Sequence, residues 1–129
     1  MATYLLDTSV IIDAINNKKG RRQLLSGLIE QGNTLACCPI NITEVYAGLR
    51  PHEEQNTKAF LRALKLYPLT WPVAELAGLL KRDHGKKGQT LNLGDVLIAA
   101  TALHNRVPLL TDNTRDFPMK ELSLHPLPK

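Results

Sequence analysis

The chain has 129 residues, 43% hydrophobic and 22% charged, with a formal net charge of +4 at pH 7. That length suits one domain with a full core, so residues 1–129 are read as a single domain. No charged-then-apolar leader opens it, and its longest apolar stretch, Val96–Leu103, is too short to span a bilayer; the expectation is a cytoplasmic protein with no membrane partner.

The first element is a short strand at Thr3–Leu6, and the apolar run resumes at Val10–Ile12. Between them stands Asp7, where an unpartnered charge would be costly to bury. Asp7 is therefore either a helix cap or a group that awaits a cation. A helical stripe follows at Leu24, Leu25, Leu28 and Ile29, then a strand at Thr34–Cys38. Cys37 and Cys38 are adjacent, so on a strand they face opposite ways and are poorly placed to pair. With no CxxC spacing and four scattered histidines, they read as small buried apolar residues, and neither zinc nor a disulfide framework is expected.

Ile42, Val45, Tyr46 and Leu49 recur at helical spacing, as do Phe60, Leu61 and Leu64. A strand is predicted at Leu66–Leu69, and a further helix on Val73, Leu76, Ala77 and Leu80. Asp95–Arg106 is apolar almost all round, the mark of a central buried helix. Strands at Val107–Leu110 and Leu122–His125 complete the set, with Gly20, Gly32, Pro51, Pro72 and Pro108 as punctuation. Alternating strands and helices define an α/β fold with a mainly parallel central sheet covered on both faces. Sites in such folds lie at the carboxyl ends of the strands.

Acids gather at that rim. Asp7 follows the first strand, and Glu44 lies in the first turn of the helix after the second. Asp95 opens the apolar helix, and Asp112, Asn113 and Asp116 follow "VPLLT". Each has an ordinary alternative. Asp7 suits an N-cap, Glu44 with Asn41 fits a capping box, Asp95 complements a helix dipole, and Asp112 suits a turn. Jointly they mean more, because like charges ~4 Å apart repel by about 4 kcal/mol at an effective dielectric of ~20. A converging cluster is tolerated with cations present or protons taken up. Oxygen ligands without His or Cys suit Mg²⁺ or Mn²⁺. Glu44 lies about 200° round its helix from Ile42, free to face a groove.

Basic residues cluster at Lys18, Lys19, Arg21 and Arg22, and again at Lys81, Arg82, Lys86 and Lys87. They suit a polyanion, nucleic acid above all, although such runs are also ordinary solvated surface. Aromatic residues make up 5% of the chain, little for a base-stacking platform. Acids, a hard metal and a basic surface together suggest metal-assisted phosphodiester cleavage.

Four stretches in order, "LLDTSVIID", "PINITEVYAGL", "NLGDVLIAATALHNRVPLLT" and "DNTRDF", make the chain resemble the PIN-domain ribonucleases, and among them the VapC-type toxins of toxin–antitoxin pairs. The resemblance covers nearly the whole length and implies a three-layer α/β/α fold. It places the family's acids on Asp7, Glu44 and Asp95, and its small polar residue two places after the first acid on Ser9. The family's variable fourth place lies in a pattern matched here by Thr111, Asn113 and Asp116, with Asp112 an extra acid; of Asp112, Asn113 and Asp116, Asp116 is taken to complete the site. "NLGD" is leaner than the loop of relatives with more polar residues there. The implied activity is an Mg²⁺- or Mn²⁺-dependent endoribonuclease acting on structured RNA such as tRNA or rRNA. The implied partners are a second copy of the chain and a cognate VapB-type antitoxin.

On this reading Asp7, Glu44, Asp95 and Asp116 hold metal, and Ser9 and Thr111 orient carboxylates or water or else are plain capping and turn hydroxyls. Lys18, Lys19, Lys86 and Lys87 contact phosphates without reading sequence. A phospho-acceptor signalling domain would need an acidic pair after the first strand and a lysine after the last, and both are missing. A haloacid-dehalogenase-like phosphatase would need Asp-x-Asp, where this chain has Ser9. A catalytically inactive PIN fold that binds RNA is the remaining alternative.

Overall fold

The structure, a computed structural model, describes residues 1–128. In chain order it runs β1 (Thr3–Leu6), α1 (Thr8–Ile15), α2 (Arg21–Glu30), β2 (Thr34–Cys37) and α3 (Pro39–Ala47). A 3-10 turn at Pro51–Glu53 leads to α4 (Glu54–Arg62), β3 (Lys65–Leu66), α5 (Trp71–Lys86) and α6 (Leu93–Asn105). β4 (Leu109–Thr111), a 3-10 turn at Thr114–Asp116 and β5 (Leu124–Pro126) follow. The sheet order is β3-β2-β1-β4-β5, and every pairing is parallel, more uniform than the mainly parallel sheet expected.

Alternation along the strands explains the layers. Neighbouring strand residues face opposite ways, and here Leu5, Ala36 and Leu109 enter one core while Leu6, Leu35, Cys37 and Leu110 enter the other. The first core packs against Val73 and Ala77 of α5 and Val96, Ile98 and Ala99 of α6. The second packs against Val10 and Ile11 of α1, Leu25 of α2, Val45 of α3 and Leu61 of α4. The result is helix, sheet, helix. Each fully buried Leu, Ile or Val contributes about 1.5–3 kcal/mol of hydrophobic stabilisation. α6 is buried along Val96 and Ile98–Ala102, which accounts for its apolar character on all sides. Cys37 and Cys38 are free thiols, both buried.

Several boundaries differ from expectation for local reasons. β2 stops one residue early because Cys38 turns into the α3 cap position, its N–H donating to Asn41 Oδ1 at 2.8 Å. β3 starts at Lys65 and stops at Leu66, well short of Leu69, since Pro68 has no N–H to offer a ladder. Val107 closes α6, its N–H returning to Ala102 O at 3.0 Å, so β4 starts at Leu109. β5 begins two residues later than predicted, at Leu124. Leu49 and Leu64 lie just beyond the ends of α3 and α4.

Candidate active site

β1 is the central strand, and Asp7 leaves its carboxyl end with its N–H still bonded to Leu110 O at 3.0 Å. Asp7 is the N-cap of α1, with Oδ1 accepting the Thr8 N–H at 2.8 Å. The helix therefore starts at Thr8. The second oxygen is held from β4: Thr111 Oγ1 donates to Asp7 Oδ2 at 2.8 Å, and Ser9 Oγ lies 3.3 Å from the same atom. Asp7 is 5% exposed, and burial, only partly offset by these donors, raises its pKa above the usual carboxylate value. Capping and site-forming are here one geometry, since each oxygen takes a different role.

Asn113 braces the same corner. Its N–H donates to Thr111 Oγ1 at 2.9 Å, and its side-chain amide donates to Ser9 Oγ at 3.2 Å. Asp112 stays close enough for its charge to help raise the Asp7 pKa, but it is paired elsewhere. Its Oδ2 lies 3.5 Å from the Arg21 guanidinium and 3.6 Å from Lys19 Nζ, while Oδ1 lies 3.3 Å from Ser9 Oγ. Arg21 is 2% exposed and also donates to Pro128 O at 2.7 Å, so Asp112 is the counter-ion of a buried cation. Asp116, on the exposed 3-10 turn, has no such partner among the described residues.

Glu44 departs from the sequence reading. It is the sixth residue of α3, not a first-turn residue, and the capping box with Asn41 does not form. Asn41 instead occupies the third helical position and is itself fully buried. Its Oδ1 accepts the Cys38 N–H, and its amide donates to Leu6 O at 3.2 Å and Thr8 Oγ1 at 2.9 Å. Thr8 Oγ1 then donates to Glu44 Oε1 at 2.6 Å. Thr8 and Asn41 were not singled out as site residues by sequence reasoning. The signal available was Asn41 one helical turn before Glu44, on the same face of α3.

Asp95 stands at the third position of α6, whose N-cap Asn92 accepts the Gly94 N–H at 2.9 Å and the Asp95 N–H at 3.3 Å. Its pKa is pushed up to about 6, first by burial and then by the negative charges of Asp7, Asp116 and Glu44. Three carboxylates from three other connections thus act on Asp95. Among the described residues none of these four acids forms a salt bridge, and no three acidic, His or Cys side chains close into a ready ligand cluster. Glu44 accepts a hydrogen bond from Thr8, and Asp7 accepts from Thr8 and Thr111. An all-oxygen donor set, buried at Asp7 and open to solvent at Glu44 and Asp116, without a cation partner among the described residues, fits a hard divalent ion.

The lysines are divided. Lys19 is shared between Asp13 at 3.7 Å and Asp112 at 3.6 Å, which weakens its expected role as a free phosphate contact. Lys18 is exposed beside a cavity walled by Ile15 and Leu49. Lys86 ends α5 and Lys87 caps it, both exposed.

A parallel α/β domain thus carries acids from four connections near the carboxyl ends of its strands. The model of the family described as "PIN domain" matches residues 4–121. Ribonuclease VapC19 of Mycobacterium tuberculosis is 33% identical over 115 residues, 89% of this chain and 92% of that protein. Ribonuclease VapC10 of the same organism is 31% identical over 117 residues, 91% of this chain and 87% of that protein. Among solved structures, VapBC2 from Rickettsia felis bound to a promoter DNA fragment superposes with TM-score 0.84 at 26% identity, covering 98% of this chain and 99% of that one. A toxin–antitoxin complex from Klebsiella pneumoniae gives 0.78 at 27% identity, covering 96% and 99%. The chain belongs to the PIN-domain family, among the VapC ribonucleases. Among the described residues no helix is long and apolar enough to cross a membrane.

Proposed function

We propose that this chain is a metal-dependent endoribonuclease, the toxin of a toxin–antitoxin pair, hydrolysing phosphodiesters in structured RNA such as tRNA or rRNA in the cytoplasm. The observation that carries this reading is that the charges of Asp7, Glu44 and Asp116 all bear on Asp95 without a salt-bridge partner among the described residues, while nearby Asp112 is paired with Arg21 and Lys19. Those four acids would hold Mg²⁺ or Mn²⁺, which when bound supplies Lewis-acid activation of water and offsets phosphate charge.

The chain's own residues do the positioning. Thr111 and Ser9 hold Asp7, and Thr8, locked by Asn41, holds Glu44. Lys18, Lys86 and Lys87 bind the RNA backbone from outside the rim. A VapB-type antitoxin is the proposed inhibitor, supported by relatives whose solved structures are VapBC and toxin–antitoxin complexes. A homodimer is proposed with it, to be checked by light scattering against the 14.3 kDa of one chain.

The test is cleavage of total RNA by the purified protein with Mn²⁺ or Mg²⁺, with EDTA and Asp95→Asn as controls. Cleavage abolished by both is expected. A folded parent protein that cleaves nothing under any metal would leave the catalytically inactive RNA-binding module instead.

A further inference from the structure

Gly94 lies one residue before Asp95 at the second position of α6, and its backbone is not in the left-handed region. Turn geometry therefore gives no reason for glycine there, and at a helix position alanine is the better residue. The reason is space. A Cβ at Gly94 would stand 2.9 Å from Glu44 Oε2, a separation that real side chains do not adopt, and 3.1 Å from Asn92 Oδ1. Other helical glycines, Gly27, Gly78 and Gly85, would meet nothing within 4 Å.

Glu44 is thus held from two sides. Oε1 is fixed by the Thr8 hydroxyl at 2.6 Å, and Oε2 fits because residue 94 has no side chain. We infer that Gly94 is a positioning residue for catalysis, the bare backbone that lets the Glu44 carboxylate reach the start of α6 beside Asp95; the inference rests on the proposed nuclease reading of this site. The atoms that must yield to a methyl are the Glu44 carboxylate and, by a few tenths of an ångström, the Asn92 side-chain oxygen, both far ends of side chains, so the backbone keeps its place and the carboxylate moves most. Gly94→Ala carries two effects of opposite sign: a better helix and a misplaced acid.

The experiment combines three measurements on the parent, Gly94→Ala, Glu44→Asp and the double variant: thermal melts without metal, the carboxyl carbon resonance of the side chain at position 44, and RNA cleavage with Mn²⁺ in excess. For Gly94→Ala we expect a melting temperature equal to the parent's or a few degrees higher, a displaced Glu44 resonance, and kcat lower by at least ~10-fold with KM for RNA little changed. Glu44→Asp withdraws the carboxylate from position 94, so its penalty should shrink when it is combined with Gly94→Ala, a non-additive cycle. A parental Glu44 resonance and cleavage rate in Gly94→Ala would overturn the inference. So would penalties that simply multiply, or a Gly94→Ala chain that fails to fold, since either removes the claim that the carboxylate bears most of the change. A parent that cleaves no RNA overturns the nuclease reading instead, and the Glu44 resonance still decides the role of Gly94.

Discussion

Thr111 at the end of β4 donates its hydroxyl to Asp7 at the end of β1, 2.8 Å across two neighbouring parallel strands. Both residues are buried, and the bond joins positions 104 residues apart in the chain. Removing one partner of a buried hydrogen bond costs about 1–3 kcal/mol, because the other is left unsatisfied. Thr111→Val should lower stability by that amount and cleavage by ~10-fold or more, while Thr111→Ser should retain most of both. Melts and cleavage rates on the pair check it; a Val variant as active as the Ser variant would show the hydroxyl to be dispensable.

Asp95 gives a pH dependence with a definite sign. Its folded-state pKa is raised to about 6 from the ordinary value of 3.8, so between those values the folded chain holds more proton than the unfolded one. The Asp95 contribution to metal-free stability therefore falls as pH rises from ~4 to ~6 and is level above. Asp95→Asn should melt higher than the parent at pH 7, with the difference vanishing near pH 4. Adding Mn²⁺ should raise the parent's melting temperature more than the variant's. Equal shifts with Mn²⁺ would separate Asp95 from the metal.

Glu44→Gln separates a structural from a chemical role. Gln retains an oxygen to accept the Thr8 hydroxyl bond, so the fold should be unaffected. An anionic ligand is lost, and cleavage should fall at least ~100-fold, about 2.7 kcal/mol in the transition state. A paired melt and cleavage assay decides, and unchanged cleavage would remove Glu44 from the site.

Asp112 and Asp116 should behave oppositely. Asp112→Asn leaves the buried Arg21 guanidinium with carbonyl partners and no counter-ion, a loss of about 1–3 kcal/mol. Asp116→Asn sits on the exposed turn and should melt as the parent does, yet cleave at least ~10-fold more slowly. Reversed results would exchange the two assignments.

The parallel α/β build was legible because each strand alternates between two cores and α6 is apolar on every side. Asp7 was legible as an anomaly, a charge within an apolar run. The Glu44 environment was not. "NITE" matches a capping box by spacing, but Pro39 sets the helix start earlier and Asn41 turns inward to Leu6 and Thr8. Long-range partners of that kind leave no local periodicity. The separation of Asp112 from Asp116 was likewise hidden, since it depends on Arg21, 91 residues away.

Asp7, Glu44, Asp95 and Asp116 come from widely separated stretches, and the tie between Asp7 and Thr111 needs β4 in place. A ribosome adding ~5–20 residues per second would take roughly 5–20 s between the first acid and the last. Throughout that interval the growing chain holds an incomplete set of the four acids, and for most of it a sheet without β4. On the proposed reading, an unfinished chain is harmless to the RNA of the ribosome that makes it, and the hazard begins when the last third folds. A partner present at that moment meets each copy before it can act.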